Sequence, residues 1–173
     1  MREPSAARRT GRGPAGAAVV GSGVTIDGSA AVPAGCDDLH NTILKATPTR
    51  QTFGAAFGSP DSMIRSVEPN RHVPGALDSL FTVYYPGLAM SIRTPEAARD
   101  MATHVHIESN RYLAYPGIGI GTTPERLVDF LGDPSERDQE ALTWDCSEHV
   151  EQPVTFRIVG GRVHAIDITY YVD

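Results

Sequence analysis

The sequence predicts an α+β fold made of two repeats, each a helix followed by three strands, with an antiparallel sheet and the helices packed on one face. Three observations predict it. The order helix, Gly-x-Pro, three strands occurs twice. Hydrophobic residues change from helical spacing to alternation after each Gly-x-Pro. The turn dipeptides Pro86-Gly87 and Gly160-Gly161 separate runs of β-branched and aromatic residues. We expect residues 37–173 to form one domain, with repeats at about 37–110 and 111–173.

The first repeat begins with apolar residues at helical spacing that end in Phe53 and Phe57. Gly58-Ser59-Pro60 ends that helix, because glycine suits the left-handed cap and proline cannot continue the turn. A polar stretch follows to about Ala76. "SLFTVYYPGLAMSIR" then predicts two strands, and the strict alternation of "THVHIES" predicts a third, half-buried strand.

The second repeat begins with the segment "TTPERLVDFLGDP", which predicts a helix. Thr122 or Thr123 can act as the N-cap, and Pro124 fits the first turn. Leu127 and its helical neighbours form the buried face, and Gly132 ends the helix. The segments "ALTWDCS", "PVTFRIV" and "RVHAIDITYYV" predict the three strands, the last two as a hairpin.

Residues 1–36 are rich in glycine, alanine and arginine and have no hydrophobic period. They predict a disordered leader or a weak signal segment, with a Val-x-Ala cleavage pattern after Ala34. We therefore expect a periplasmic or secreted protein, and a cytoplasmic protein with a disordered tail is the alternative. No stretch is long and apolar enough to cross a bilayer, so the protein is not predicted to be transmembrane.

A known repeat carries the same motifs. The segment "GIGIGTTPERLVDFLGDP", the aromatic Trp144 and the hairpin "VTFRIVGGRVHAIDI" resemble the tandem repeat of β-lactamase-inhibitor-like proteins and of small outer-membrane assembly lipoproteins. The resemblance is better in the second half of the chain than in the first. It implies an exported, non-enzymatic protein that binds other proteins.

Several function classes are disfavoured by the residues themselves. The formal net charge is −6, and an acidic chain argues against nucleic acid as a partner. The glycines at 117, 119 and 121 are spaced GxGxG, which differs from the dinucleotide-binding GxGxxG. No G-x-S-x-G nucleophile elbow accompanies the histidines. The sequence therefore predicts no enzyme activity and no cofactor.

Two histidines offer a candidate metal or small-ligand site. His104 and His106 point to the same face of one predicted strand, so both imidazoles could bind one ion. A third ligand would have to come from His72, Glu108 or His164. The alternative is a solvated polar face of the sheet.

Aromatic residues on the strands are candidates for protein binding, since tyrosine and tryptophan are frequent hot spots. Adjacent tyrosines in a strand face opposite sides, so one of each pair is expected outside the core. The candidate binding residues are Tyr85, Tyr112, Tyr170 and Trp144. The alternative is tyrosines that pack across strands.

The two cysteines, Cys36 and Cys146, are the whole cysteine content and form no CxxC motif. A disulfide between them is expected if the protein is exported, and two unrelated thiols are the alternative. From all these observations we expect a protein-binding module that acts as an envelope assembly factor or as an inhibitor of another protein. A small-ligand or metal-binding domain that uses the two histidines is the alternative.

Overall fold

A computed structural model of the chain describes residues 35–36, 39, 57–95, 100–147 and 152–170. Nearly all of its regular structure is antiparallel β-sheet. The elements in chain order are β1 (Ser62–Pro69), β2 (Leu77–Tyr85), β3 (Leu88–Thr94), β4 (Met101–Ile107), β5 (Leu113–Tyr115), β6 (Ile118–Gly119), α1 (Pro124–Leu131), β7 (Glu136–Arg137), β8 (Ala141–Asp145), β9 (Pro153–Val159) and β10 (Arg162–Thr169).

Eight of the strands form one sheet in the order β1-β2-β3-β4-β10-β9-β8-β7, and β5 pairs with β6 separately. Each half of the chain contributes four consecutive strands to the large sheet. The halves meet where β4 pairs with β10, in a register that places Ile107 opposite Ile166 and Val105 opposite Ile168. Because these four side chains are buried, the hydrophobic core runs without a break across the junction.

One face of the large sheet, which we call the core face, carries the core. Alternation along each strand sends the β-branched and aromatic residues to this side. Cross-strand neighbours then pack in rows, as the T-shaped contact between Trp144 and Phe156 shows, with ring centroids 5.5 Å apart. The main residues of the core face are Phe81, Val83, Tyr85, Leu88, Met90, Ile92, Val105, Ile107, Leu142, Trp144, Val154, Phe156, Ile166 and Ile168.

Helix α1 forms as its sequence predicts. The Thr123 hydroxyl accepts a hydrogen bond from the backbone N–H of Arg126, and proline occupies the first turn. Leu127 and Leu131 are buried in the core. At the C-terminal end the indole N–H of Trp144 donates to the carbonyl of Gly132 over 3.1 Å. This hydrogen bond fixes the end of the helix against β8 on the core face.

A disulfide joins Cys36 to Cys146, with the two Cα atoms 5.2 Å apart. Both cysteines are buried. The bond ties the segment at Gly35 to the end of β8, and the backbone there lies close to α1. A Cβ atom on Gly35 would stand 2.8 Å from the carbonyl oxygen of Phe130.

The predicted fold class is contradicted by this architecture. The described residues form mostly antiparallel sheet, together with the short helix α1. The fold is therefore not an α+β arrangement of two helices on a sheet. Each half gives four strands to the large sheet where three were predicted. The missed strands of the large sheet are β1 and β7; the small pair β5 and β6 was not predicted either. The first predicted helix, apart from Leu39 and Phe57, lies outside the described residues, as does most of the predicted leader.

The missed strands have a common physical reason. Every residue of β1 except Glu68 is exposed. Because neither face of this strand is buried, its sequence shows no alternation between polar and apolar residues from which a strand could be predicted. β7 has two residues, both exposed. Within the described ranges, no helix is long and apolar enough to cross a membrane.

Candidate functional site

The second face of the large sheet, which we call the open face, is polar. A single row in register crosses six strands on this face, from Tyr84 on β2 to Thr143 on β8. In the described part of the chain, the side chains of this row are half-buried or exposed, whereas the alternate residues on the core face are buried. The row consists of Tyr84, Ala89, His106, Asp167, Thr155 and Thr143.

The middle of the row carries a group of charged and titratable side chains, which we call the histidine cluster. His104 and His106 come from β4, Glu108 follows that strand, Asp167 lies on β10 and Arg157 on β9. The alternation of β4 turns both histidines to the open face, and the β4–β10 register sets Asp167 directly opposite His106. Pairing between the two halves of the chain therefore creates the cluster.

Asp167 is the centre of the cluster. Its Oδ1 lies 2.7 Å from Nδ1 of His106 and 3.4 Å from Nε2 of His104. Its Oδ2 accepts a hydrogen bond from Nε of Arg157 over 3.1 Å. His104 contributes most to holding the pKa of Asp167 far below its ordinary value, and His106 and Arg157 act in the same direction against the effect of burial.

His106 is bound by carboxylates on both sides. Its Nε2 lies 3.2 Å from Oε1 of Glu108, while its Nδ1 faces Asp167. Burial alone would lower the pKa of His106, but the hydrogen bonds to Asp167 and Glu108 outweigh it and raise the pKa. An imidazole can donate from both nitrogens only when it is protonated. The surroundings therefore favour the imidazolium form.

This arrangement limits the chemistry of the cluster. A histidine that acts as a general base needs a free ring nitrogen to accept the proton of a nucleophile. Both nitrogens of His106 already face carboxylate oxygens. Among the described residues, no group of three or more histidine, cysteine or acidic side chains is placed to hold a metal ion. The cluster presents charged and hydrogen-bonding groups on the polar open face.

The predicted ligand residues lie in different parts of the structure. His104 and His106 do share one face and converge on Asp167. Of the three proposed third ligands, Glu108 contacts His106. His72 lies in the loop between β1 and β2, and His164 lies near the start of β10.

Three of the four predicted binding aromatics lie in the core. Tyr85 is 5% exposed, Tyr170 is 6% exposed and Trp144 is 1% exposed, so these three side chains face the core and not the surface. Burial raises the pKa of both tyrosine hydroxyls. Tyr112 is half-buried against the core, and its ring centroid lies 6.2 Å from that of Phe57.

The outward-facing tyrosine of its pair is Tyr84, which is 38% exposed and begins the row on the open face. The sequence required one of the two to face outward, and Tyr85, the one named as a binding candidate, is the one that faces the core. Asp167 was also missed. The alternation of "AIDIT" does place Asp167 opposite in direction to its isoleucine neighbours, but only the β4–β10 register brings it to the histidines.

Comparison of the chain with protein-family models, curated proteins and solved structures finds no match. The resemblance to the tandem repeat of β-lactamase-inhibitor-like proteins therefore stays a prediction. The fold and the site define a mostly antiparallel β protein with a continuous eight-stranded sheet. One face of that sheet carries the core, and the other displays the histidine cluster.

Proposed function

We propose that the chain is an exported, non-enzymatic protein-binding module and that its open face carries the contact with a partner protein. It would act as an envelope assembly factor or as an inhibitor of another protein. The observation that carries the proposal is the open face itself, where small side chains lie around Tyr84 and the histidine cluster. The same face carries a second charged group, in which Arg93 pairs with Glu68 and Asp78.

The size of this surface suits a protein partner. The six strands from β2 to β8 span about 24 Å at the usual interstrand spacing, and seven residues along a strand span about 24 Å. The product, roughly 600 Å², is of the same order as the roughly 800 Å² that each partner buries in a standard stable interface.

The chemistry of the surface also suits a protein partner. Tyr84 can bury area at low entropic cost, as tyrosines at binding hot spots do. Arg157 is held by Asp167 while most of its side chain stays exposed, so its guanidinium is positioned before a partner arrives. Small neighbours such as Ala89 and Thr155 leave both side chains accessible above the sheet.

Export is supported by the disulfide between Cys36 and Cys146, because disulfides persist chiefly in oxidising compartments. The absence of enzymatic activity is supported by His106, whose two ring nitrogens are engaged by carboxylates.

The proposal is tested by capture of partners from envelope extract with the full-length chain. Tyr84→Ala and Arg157→Ala remove the two side chains that we expect to carry the contact. Arg126→Ala is the matched control, because Arg126 is an exposed arginine on α1, away from the open face.

We expect wild type and Arg126→Ala to retain the same stoichiometric partner. Each open-face variant should lose it by about fivefold or more, the effect of truncating a hot spot worth more than about 1 kcal/mol. Equal retention by all four proteins would reject the open face as the contact surface.

A second candidate function is binding of a divalent metal or a small ligand at His104 and His106. It is favoured by the convergence of both imidazoles on one oxygen of Asp167. A metal would have to displace the hydrogen bonds that these groups make to one another. We expect zinc to raise the melting temperature of wild type but not of His104→Ala if this function holds. An unchanged melting temperature across divalent metals would reject it.

A further inference from the structure

The edge of the large sheet at β1 is eight residues long, and all of these residues except Glu68 are exposed. Met63 is 56% exposed, Ile64 is 59% exposed and Val67 is 51% exposed. Natural proteins ordinarily shorten, charge or cover such edges, because an exposed edge strand is a template for another strand. β1 is long by this standard, and beside its charged residues and its terminal proline it carries three exposed apolar side chains, so its outer side calls for an explanation.

The hydrogen-bonding pattern of β1 follows from Pro69. Proline has no N–H, so the pair of Pro69 with Leu77 is a non-hydrogen-bonded pair. The next pair agrees, since the N–H of Asn70 donates to the carbonyl of Ala76 over 2.9 Å. Alternation then turns the N–H and C=O groups of Met63, Arg65 and Val67 away from β2. These groups have no partner among the residues that the structure describes.

We propose that this edge pairs with the same edge of a second copy, so that two sheets join through antiparallel β1 strands about a two-fold axis. Residues whose N–H and C=O groups point away from β2, which we call outward residues, can bond only to outward residues of the second copy. Few registers satisfy this condition. The register centred on Arg65 places Met63 opposite Val67 of the second copy and uses all three outward residues. It forms six N–H···O=C bonds. Moving the register towards Pro69 loses a donor, because proline cannot supply one.

The side chains fit this register. The exposed Met63 and Val67 lie on the side of the core face and come to lie directly opposite each other, so each copy covers the apolar residues of the other. The two Arg65 side chains meet at the axis, where like charges disfavour pairing. Each guanidinium is drawn back onto its own sheet, with its Nη2 3.0 Å from the Ser79 hydroxyl and its carbon 5.7 Å from the Phe81 ring centroid.

The contact is small. Eight residues a side fall well below the about 20–30 residues a side of a standard stable interface. We expect a weak, reversible dimer, monomeric near about 1 µM and increasingly dimeric towards about 100 µM, as in transient complexes. Added salt strengthens the association, because it screens both the Arg65 pair and the net charge of −6 on each copy.

Sedimentation velocity of the full chain from about 1 to 100 µM tests the proposal. Val67→Pro removes an outward N–H that β2 does not use, so the fold is kept and the pairing is lost. Val67→Lys adds a positive charge at the same place, close to the two Arg65 side chains that already repel each other. The matched control is Leu113→Lys, where the leucine is 55% exposed and lies on β5, a strand outside the large sheet.

We expect wild type and Leu113→Lys to dimerise alike, and both Val67 variants to stay monomeric at about 100 µM with unchanged urea midpoints. A wild-type monomer throughout the range would overturn the proposal, as would equal dimerisation of the Val67 variants. The edge and the open face are different surfaces, so this result does not depend on the binding of another protein.

The register has its own test. Residues directly opposite in a hydrogen-bonded pair have Cα atoms about 5.5 Å apart, which a disulfide can span. Arg65→Cys should therefore form a crosslinked dimer under mild oxidation, whereas Met63→Cys, which lies off the axis, should not. Crosslinking of Met63→Cys alone would contradict the proposed pairing.

Discussion

Reduction of the disulfide between Cys36 and Cys146 should destabilise the fold strongly. The bond closes a loop with a sequence separation of 110 residues. In the chain-entropy model, a loop of that length is worth about 5 kcal/mol at 25 °C through the entropy that it removes from the unfolded chain. Typical domains have a free energy of unfolding of about 5–15 kcal/mol. The loss is therefore a large share of the total.

Urea unfolding of the full chain, with and without a reducing agent, measures the effect. With an m-value of about 2 kcal/mol/M, the midpoint should fall by roughly 2.5 M on reduction. The double variant Cys36→Ala, Cys146→Ala is the control, because alanine leaves no hydroxyl in the buried site. Its midpoint should match that of the reduced wild type and should not respond to the reducing agent.

A shift below roughly 0.5 M on reduction would refute this reasoning, since the loop would then contribute little to the unfolded-state entropy. Two free thiols in the exported protein under denaturing, non-reducing conditions would show that the bond does not form there. The second result would also remove the support that the disulfide gives to export.

Three further changes test other parts of the structure by urea unfolding. Trp144→Phe should lower the free energy of unfolding by about 2 kcal/mol, because the carbonyl of Gly132 loses its indole donor; no change would show that the helix end needs no such bond. Gly87→Ala should cost more than Gly117→Ala. Both glycines have positive φ, worth about 1–2 kcal/mol each, but at Gly87 the new Cβ would also clash with the Cβ of Ser109, whereas at Gly117 it would face open space; equal losses would show that the loop around Ser109 moves to make room. His106→Gln should destabilise the protein more at pH 5 than at pH 9, by about 0.5–1 kcal/mol. A pKa raised by folding stabilises fully below the unfolded value and less as pH rises through the folded value, so a difference that grows with pH would contradict this reasoning.

Much of the strand pattern was predictable from the sequence. Alternation in "THVHIES" correctly turned Val105 and Ile107 inward and the two histidines outward. The Pro86-Gly87 and Gly160-Gly161 turns lie where the chain predicts them, with positive φ at the glycines. Helix α1 begins after its predicted cap. These features are local, so neighbouring residues carry the information.

Features that depend on tertiary context were not predictable. β1 is an edge strand with both faces exposed, so its polar and apolar residues do not alternate as they do in a half-buried strand. The choice between Tyr84 and Tyr85 depended on which side of β2 received the core. Asp167 reaches His106 only through a pairing between strands about 60 residues apart in sequence. The sequence of β4 therefore predicts the two histidines of the histidine cluster, but it does not predict that Asp167 joins them.

Binding of a partner protein by the open face can be tested by site-specific photo-crosslinking in the source cells. A photoreactive phenylalanine analogue replaces Tyr84 on the open face and, in a second protein, Leu113 on β5. We expect a crosslinked adduct with one partner from the position of Tyr84 and none from the position of Leu113. An adduct from the position of Leu113 with none from that of Tyr84, or no adduct from either, would contradict it.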